Sequence, residues 1–461
     1  MITRRWDGME AQEGLASHGK RRIGSFQMKR NAESALSQHA AGWRDLLKTK
    51  DFGWLWAGQV VSQLGDGLTK VALLWFVYSL TGSALKMTLI GVLQTIPPLA
   101  FGAFAGVLID RVPKRAAMIT IDLVRATLLV LIPLLYAMGL LSLPWLYVLV
   151  FVGSLFAMAF GPALNASVPL LVKRNQLVRA NAIMQSSMTI GQLLGPAISG
   201  ILIAVIGAQN VLYVNAAAFV LSALCKLPIH IPHPRSSGKR FSAREALRDL
   251  KEGFRFVFIQ ERFLLLLMVS ASLCTMAATG FIYMLPVFGE RVLHTTSVQL
   301  GWLWSALSLG IFVTTIWLAF KKEDGFCRRL WIIGGAAAVG GAAVFALTAA
   351  KSFVLAAVII VVIGGSSGLV TPIVSASLQQ LTPQDLLARV FSVFNTAVMA
   401  LAMIGMTAVG WASDRFGPFT SLVGIGTVQP VAACSALVVL PWCRQLPDTV
   451  SKTTSAKKRT A

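Results

Sequence analysis

Long apolar runs, each ended by a short polar cluster, fill the chain from about residue 50 onward. A helix that crosses hydrocarbon needs ~20 largely apolar residues. Six runs of that length lie in the first half, at 52–80, 86–109, 116–139, 143–171, 180–206 and 209–227. Six more follow at 263–289, 297–320, 328–350, 352–380, 387–413 and 417–443. The join at 206–209 is the weakest of these breaks. The one long polar interruption, 228–262, opens with Pro228, His230, Pro232, His233 and Pro234, which stop a helix. Ser242-Ala-Arg-Glu245 then reads as a helix start with a capping box. Leu247, Leu250, Phe254 and Val257 follow at the spacing of an amphipathic helix lying on a membrane surface.

The pattern predicts a polar, partly disordered N-terminal tail (1–50), a six-helix bundle (51–227), a linker (228–262), a second six-helix bundle (263–443) and a C-terminal tail (444–461). The fold class expected is therefore an all-α membrane protein with twelve transmembrane helices in two six-helix bundles. The N-terminal tail carries no 7–15-residue apolar core of a signal peptide. Met28, followed by Lys29-Arg30, is an alternative start to Met1.

Composition strengthens the membrane reading. Of 461 residues, 56% are hydrophobic and 13% charged, against about 25% charged in soluble domains. The net charge of +22 comes from 41 Lys+Arg and 19 Asp+Glu. Alone it would suggest nucleic-acid binding, but its distribution says otherwise. One side's loops carry Arg111, Lys114, Arg115, Lys173, Arg174, Arg179, the linker's run from Lys226 to Arg262, Lys321, Lys322, Arg328, Arg329 and Arg389. The other side's loops carry Lys86, Arg291, Lys351 and Arg415. That asymmetry is the positive-inside signal of an inner (plasma) membrane protein with both termini cytoplasmic. It accounts for the charge with a lipid bilayer, not a nucleic acid, as partner. The five cysteines are scattered without a C-x-x-C pair, so neither a disulfide framework nor a metal site is expected.

The loop between the second and third runs reads Gly106-Val-Leu-Ile-Asp110-Arg111-Val-Pro-Lys114-Arg115. It resembles the G-x-L-x-D-R-x-G-R-K/R loop of the major facilitator superfamily, with Pro113 where that family has its second glycine. The resemblance implies the two-bundle facilitator fold, and a charge relay of Gly106, Asp110, Arg111, Lys114 and Arg115 that latches the bundles on the cytoplasmic side. The 321–329 loop resembles a degenerate second copy. Gly410-Trp-Ala-Ser-Asp414-Arg415-Phe-Gly417 has similar letters but falls on the other side, where a helix-ending turn is expected. In the fifth run, Gly191, Gly195, Pro196 and Gly200 resemble the G-x-x-x-G-P-x-x-G-G element of drug/proton antiporters. Small residues there let helices approach closely, and Pro196 kinks the rod. The first run, from Gly58-Gln59 to Thr69-Lys70, resembles the branch of enterobactin-type siderophore exporters and macrolide-efflux proteins. The likeness spans roughly residues 50–445.

Asp66 is the acid of most interest. A charge near the bilayer centre costs about 2.5–3.5 kcal/mol on insertion scales, so it must face a cavity or a partner. Gly65 and Gly67 beside it suggest a loosened helix. Either Asp66 couples protons or contacts substrate, or Lys70 at i+4 pairs with it and neutralises both. Asp122 and Arg125, three residues apart, form a mutual pair or a link from Arg125 to Asp110, or else join Asp66 and Lys70 as candidate proton-coupling or cavity residues in contact with substrate. Gln59, Gln63, Gln94, Asn165 and Asn395 are the candidate neutral lining of a substrate path.

No G-x-x-x-x-G-K-[ST], H-E-x-x-H or G-x-S-x-G element occurs, so neither an enzyme nor a cofactor is expected, and an ion gradient is the simplest energy source. The expected function is secondary active, proton-coupled efflux of a drug, macrolide or siderophore-like small molecule by a monomer working through alternating access. An uptake or lipid-handling permease of the same fold, and a non-transporting sensor or scaffold, are the alternatives.

Overall fold

A computed structural model of the chain describes residues 46, 49–232, 252, 254–260, 262–321 and 325–438. Each of the twelve apolar runs is helical over most of its described residues, and the described residues contain no strand. The first half comprises α1 (Lys50–Thr81), α2 (Ala84–Arg111), α3 (Lys114–Ala137), α4 (Leu143–Ala157), α5 (Phe160–Leu171), α6 (Leu177–Ile206) and α7 (Ala208–Lys226). The second comprises α8 (Arg262–Arg291), α9 (Ser297–Phe320), α10 (Phe326–Thr348), α11 (Phe353–Leu381), α12 (Gln384–Phe416) and α13 (Pro418–Val438). The helices α4 and α5 are halves of one span, Leu143–Leu171, interrupted at Met158 and Ala159. Eleven described segments are long and apolar enough to cross a membrane. The 21-residue α13, with Pro430 inside it, completes the twelve.

Helix ends follow local chemistry. The join at 206–209 is made by Gly207, whose φ of 82° ends α6 and begins α7 with no polar loop at all. Only a residue without Cβ adopts that backbone readily. Thr296 and Gln299 close a capping box at the start of α9, and Ser352 caps α11 by accepting from Leu355 N–H. Beyond α7, the linker residues Ser242, Arg244, Glu245, Leu247 and Leu250 lie outside the described residues. Within its described part, Phe254 is helical and exposed, and Phe256–Gln260 makes a π-turn that buries Val257.

Inside the first half, α1 packs against α6 and α7, and α3 against α7. Inside the second, α9 packs on α11, α10 on α11 and α13, and α8 on α12 and α13. Glycines set the closest approaches, as where Gly364 of α11 faces the carbonyl of Leu307 and Gly310 of α9 faces that of Val361. Two seams join the halves, α2 with α12 and α6 with α9. Each pairs the second span of one half with the fifth span of the other. An axis along the membrane normal relating parallel repeats produces that relation.

Large apolar side chains stand on the outer surface, among them Trp145, Val178, Val205, Phe320 and Val354, and the last four are each at least 70% exposed. Such a surface suits hydrocarbon, where no water needs to be met. Cys225, Cys274 and Cys434 are free thiols, while Cys327 is disulfide-bonded, which the scattered cysteines did not suggest.

Candidate functional site

A cavity of about 630 Å³ opens within the first bundle, inside the 300–1,000 Å³ range of small-molecule sites. One face of α1 supplies Gln59, Gln63, Asp66, Thr69, Lys70 and Leu73. Their three- and four-residue spacing is what places them in one stripe. Gln94 comes from α2, Arg125, Leu128 and Ile132 from α3, Ser154 from α4, Phe160 and Asn165 from α5, and Gln185 and Met188 from α6. The break between α4 and α5 borders the void through Ala157, Phe160 and Gly161. All the lining residues belong to the first half.

The charges pair differently from either expectation. Asp66 is ion-paired with Arg125 of α3, not with Lys70. This pair faces the void, its side chains being 36% and 17% exposed. The Arg125 guanidinium also lies over the ring of Phe219, 4.1 Å from its centroid. The Lys70 ammonium instead stands over Trp304 of α9, 5.0 Å from the ring centroid.

Asp122 does not pair with Arg125, which is engaged by Asp66. At 100° per residue the two α3 side chains diverge by about 60°, so Arg125 turns to α1 and Asp122 to α7. There Asp122 Oδ2 accepts from Lys226 Nζ at 2.5 Å and from Ser222 Oγ at 2.8 Å. Lys226 Nζ also donates to Ser222 Oγ at 2.6 Å, and its ammonium sits 4.8 Å from the Phe160 centroid. Both charged side chains are 0% exposed. This second pair is sealed off from the cavity.

Of the predicted neutral residues, Gln59, Gln63, Gln94 and Asn165 line the void, whereas Asn395 is exposed on α12 and absent from its wall. Gly65 and Gly67 do not loosen α1, which runs unbroken from Lys50 to Thr81. They are contact points: Gly65 meets the Asn215 side chain, and Gly67 meets Gly191 and Gly195 of α6. A Cβ on Gly195 would stand 2.7 Å from Gly67 Cα. Further along α6, a Cβ on Gly200 would stand 3.1 Å from Gly301 Cα of α9, and Gly301 faces the carbonyl of Pro196. The four small residues thus serve two contacts, one within the first bundle and one across the seam.

At the basic end, Lys114 Nζ donates to Ile109 O at 2.8 Å, closing the C-terminus of α2. Arg115 Nε donates to Lys226 O at 3.2 Å, tying α3 to the end of α7. Cations at helix C-termini satisfy free carbonyls and favour the helix dipole. Arg111 is exposed beside Phe104 and Leu108. Gly106 lies in the last turns of α2, the Asp110 side chain is outside the described residues, and so are Lys322, Glu323 and Asp324 of the second copy.

The opposite end holds, beside the expected helix-ending turn, a connection between the bundles. Gly417, with φ 87°, does end α12. Asp414, however, reaches the other bundle and caps α2. Its Oδ1 accepts from Ala84 N–H at 2.7 Å, and its Oδ2 from Leu85 N–H at 3.0 Å and Ser83 Oγ at 2.5 Å. An anion at a helix N-terminus meets both free N–H groups and the positive end of the dipole. Arg291 of α8 adds a bond to Gly82 O at 2.8 Å. Nearer the middle, Ser305 and Ser308 of α9 donate to the carbonyls of Leu193 and Gln192 at 2.7 and 3.0 Å. The hydrogen bonds recorded between the bundles among the described residues thus run from mid-depth to the end away from the basic loops.

Residues 55–406 match the sequence model of the Major Facilitator Superfamily. The chain belongs to that family. Membership makes this facilitator a multi-pass, membrane-embedded transporter of small molecules, not an enzyme. It is 26% identical over 400 residues to the multidrug efflux pump Tap of Mycolicibacterium fortuitum, a match covering 84% of this chain and 95% of that one. It is 25% identical over 272 residues to macrolide efflux protein A of Streptococcus pyogenes, covering 57% of this chain and 66% of that one. Among solved structures it resembles the nucleoside transporter NupG, with TM-score 0.67, 13% identity and coverage of 84% and 98%. It also resembles a bacterial homologue of the lysosomal transporter Spinster in an inward-facing, unoccupied conformation, with TM-score 0.63, 12% identity and coverage of 85% and 96%. Identities this low speak for the facilitator fold alone.

Two expectations follow for this facilitator. Removing one partner of a sealed ion pair leaves a bare buried charge and costs about 3–5 kcal/mol. Asp122→Asn therefore lowers the thermal unfolding midpoint in detergent sharply, and the double change Asp122→Leu with Lys226→Met recovers most of the loss. An unshifted midpoint for the single change would contradict the pairing. Asp414→Ala releases the α2 cap, so cysteines placed at Lys86 and Arg415 cross-link less readily than in the parent. Equal cross-linking would show that Asp414 does not hold that end shut.

Proposed function

We propose that this transporter is an exporter driven by the proton gradient across the bacterial plasma membrane, working as a monomer with its basic end and both termini in the cytoplasm. The observation that carries the reading is the Asp66–Arg125 ion pair, halfway along α1 and open to the cavity. A carboxylate exposed to a void inside the membrane can exchange a proton with it, whereas the sealed Asp122–Lys226 pair cannot. Protonating Asp66 removes the counter-charge of Arg125 and frees the guanidinium to move or to meet cargo. Export direction is supported by the two relatives, both named efflux proteins. The siderophore- or drug-like size of the cargo is consistent with the cavity volume.

In this reading the conformation here is inward-facing, because the inter-bundle bonds of Asp414, Arg291, Ser305 and Ser308 gather from mid-depth outward. Rocking about the α2–α12 and α6–α9 seams breaks them and closes the cytoplasmic side. There the loop of Gly106, Asp110, Arg111, Lys114 and Arg115 acts as the gate. Gly191, Gly195, Pro196 and Gly200 keep α6 close to both α1 and α9, so α6 serves as the pivot.

The test is dye flux in proteoliposomes under an imposed pH gradient. Asp66→Asn inserts and folds normally but loses at least tenfold of the gradient-driven rate, while exchange without a gradient survives. A gradient-driven rate equal to the parent's would remove Asp66 from the coupling step.

A further inference from the structure

The cavity wall contains three ionisable side chains, Asp66, Arg125 and Lys70. Two of them neutralise each other. Lys70 stands apart: its recorded partner is the face of Trp304, and no acid lies within ion-pair distance of it among the described residues. A ring face attracts a cation through its quadrupole but carries no net negative charge. The wall is therefore left with one uncompensated positive charge, deep within the membrane, where bulk water and salt screen little.

The neutral part of the wall holds amides without partners among the described residues. The Gln59 Oε1 atom has no hydrogen-bond partner. The side-chain amides of Gln63, Gln94 and Gln185 likewise make no hydrogen bond among the described residues, although all three line the void. Each amide presents N–H donors as well as an acceptor. Lys70 also lies about 6 Å further along α1 than Asp66 by helical rise, and its ammonium reaches Trp304 of the other bundle, which is buried and not part of the cavity wall.

We propose that the cavity takes an organic molecule bearing an anionic group, such as a carboxylate, held by Lys70 while neighbouring amides bind the polar body. This deepens the transport reading and rests on it for direction, but not for binding. The account requires the cation-versus-anion preference to follow the charge at position 70, whereas a purely structural Lys70–Trp304 bridge would leave that preference unchanged.

The experiment has two arms, both on the full chain. In detergent, fluorescence polarisation measures binding of carboxyfluorescein, of ethidium and of a short-chain fluorescent phosphatidylglycerol. In proteoliposomes, flux of the same three probes is followed. Carboxyfluorescein is expected to bind more tightly than ethidium. Lys70→Gln weakens its binding at least tenfold and raises its transport KM to a similar degree, and Lys70→Arg retains most of both. A preference for phosphatidylglycerol over carboxyfluorescein, lost in Lys70→Gln, also supports the anion site and identifies its source as a lipid headgroup. Anion binding that is unaffected by Lys70→Gln, or tighter binding of ethidium in the parent, overturns the proposal even if flux is normal. Lys70-dependent anion binding without flux of any probe upholds the site and defeats the transport reading instead.

Discussion

An ionised side chain surrounded by hydrocarbon must find a counter-charge, a dipole or a polar void, and the few charges in this chain's spans are arranged by that requirement. The solutions differ. Asp122 and Lys226 neutralise each other out of contact with any void. Asp66 and Arg125 do so at the edge of a cavity. Asp414 uses the N-terminus of α2 in the other bundle. Lys70 has an aromatic face and open space. The first arrangement is closed within one bundle, and the other three lie at the cavity edge, at the contact between bundles and on the cavity wall.

Close helix packing makes the arrangement possible. Hydrocarbon provides no hydrophobic drive between helices, so association depends on van der Waals fit and small residues. Gly67 against Gly195 brings α6 onto α1, and Asn215 against Gly65 brings in α7. With α1 held on both sides, the stripe from Gln59 to Leu73 is fixed facing the void. The same α6 then meets α9 at Gly200 and Gly301. One helix therefore contributes to the cavity wall on one part of its length and to the seam between the bundles on another.

Much of this was readable in the chain before its folding was known, because the signals are local. Apolar runs give the helices, and the spacing of Gln59, Gln63, Asp66 and Lys70 gives a common face. Small residues on α6 indicate close approach. Partner choice was not readable. Asp66 has a lysine one turn away, and Asp122 an arginine three residues away, yet both bond to another helix, since which faces meet is decided by non-local packing. Lys226 looked like one more basic loop residue because it ends an apolar run. Asp414 looked like part of a turn because its bonding partners lie some 330 residues earlier in the chain. The confinement of the cavity wall to first-half residues likewise has no local signature.

The central claim is that the two bundles rock about the α2–α12 and α6–α9 seams. Pulsed electron-spin distance measurements in lipid test it most directly, with one label pair at Val178 and Phe320 on the basic end and another at Val205 and Phe419 on the opposite end. All four residues are exposed on the surface. The account predicts two distance populations at each end whose weights shift in opposite directions when pH or cargo is changed. A single distribution at both ends, unmoved by either, would contradict it.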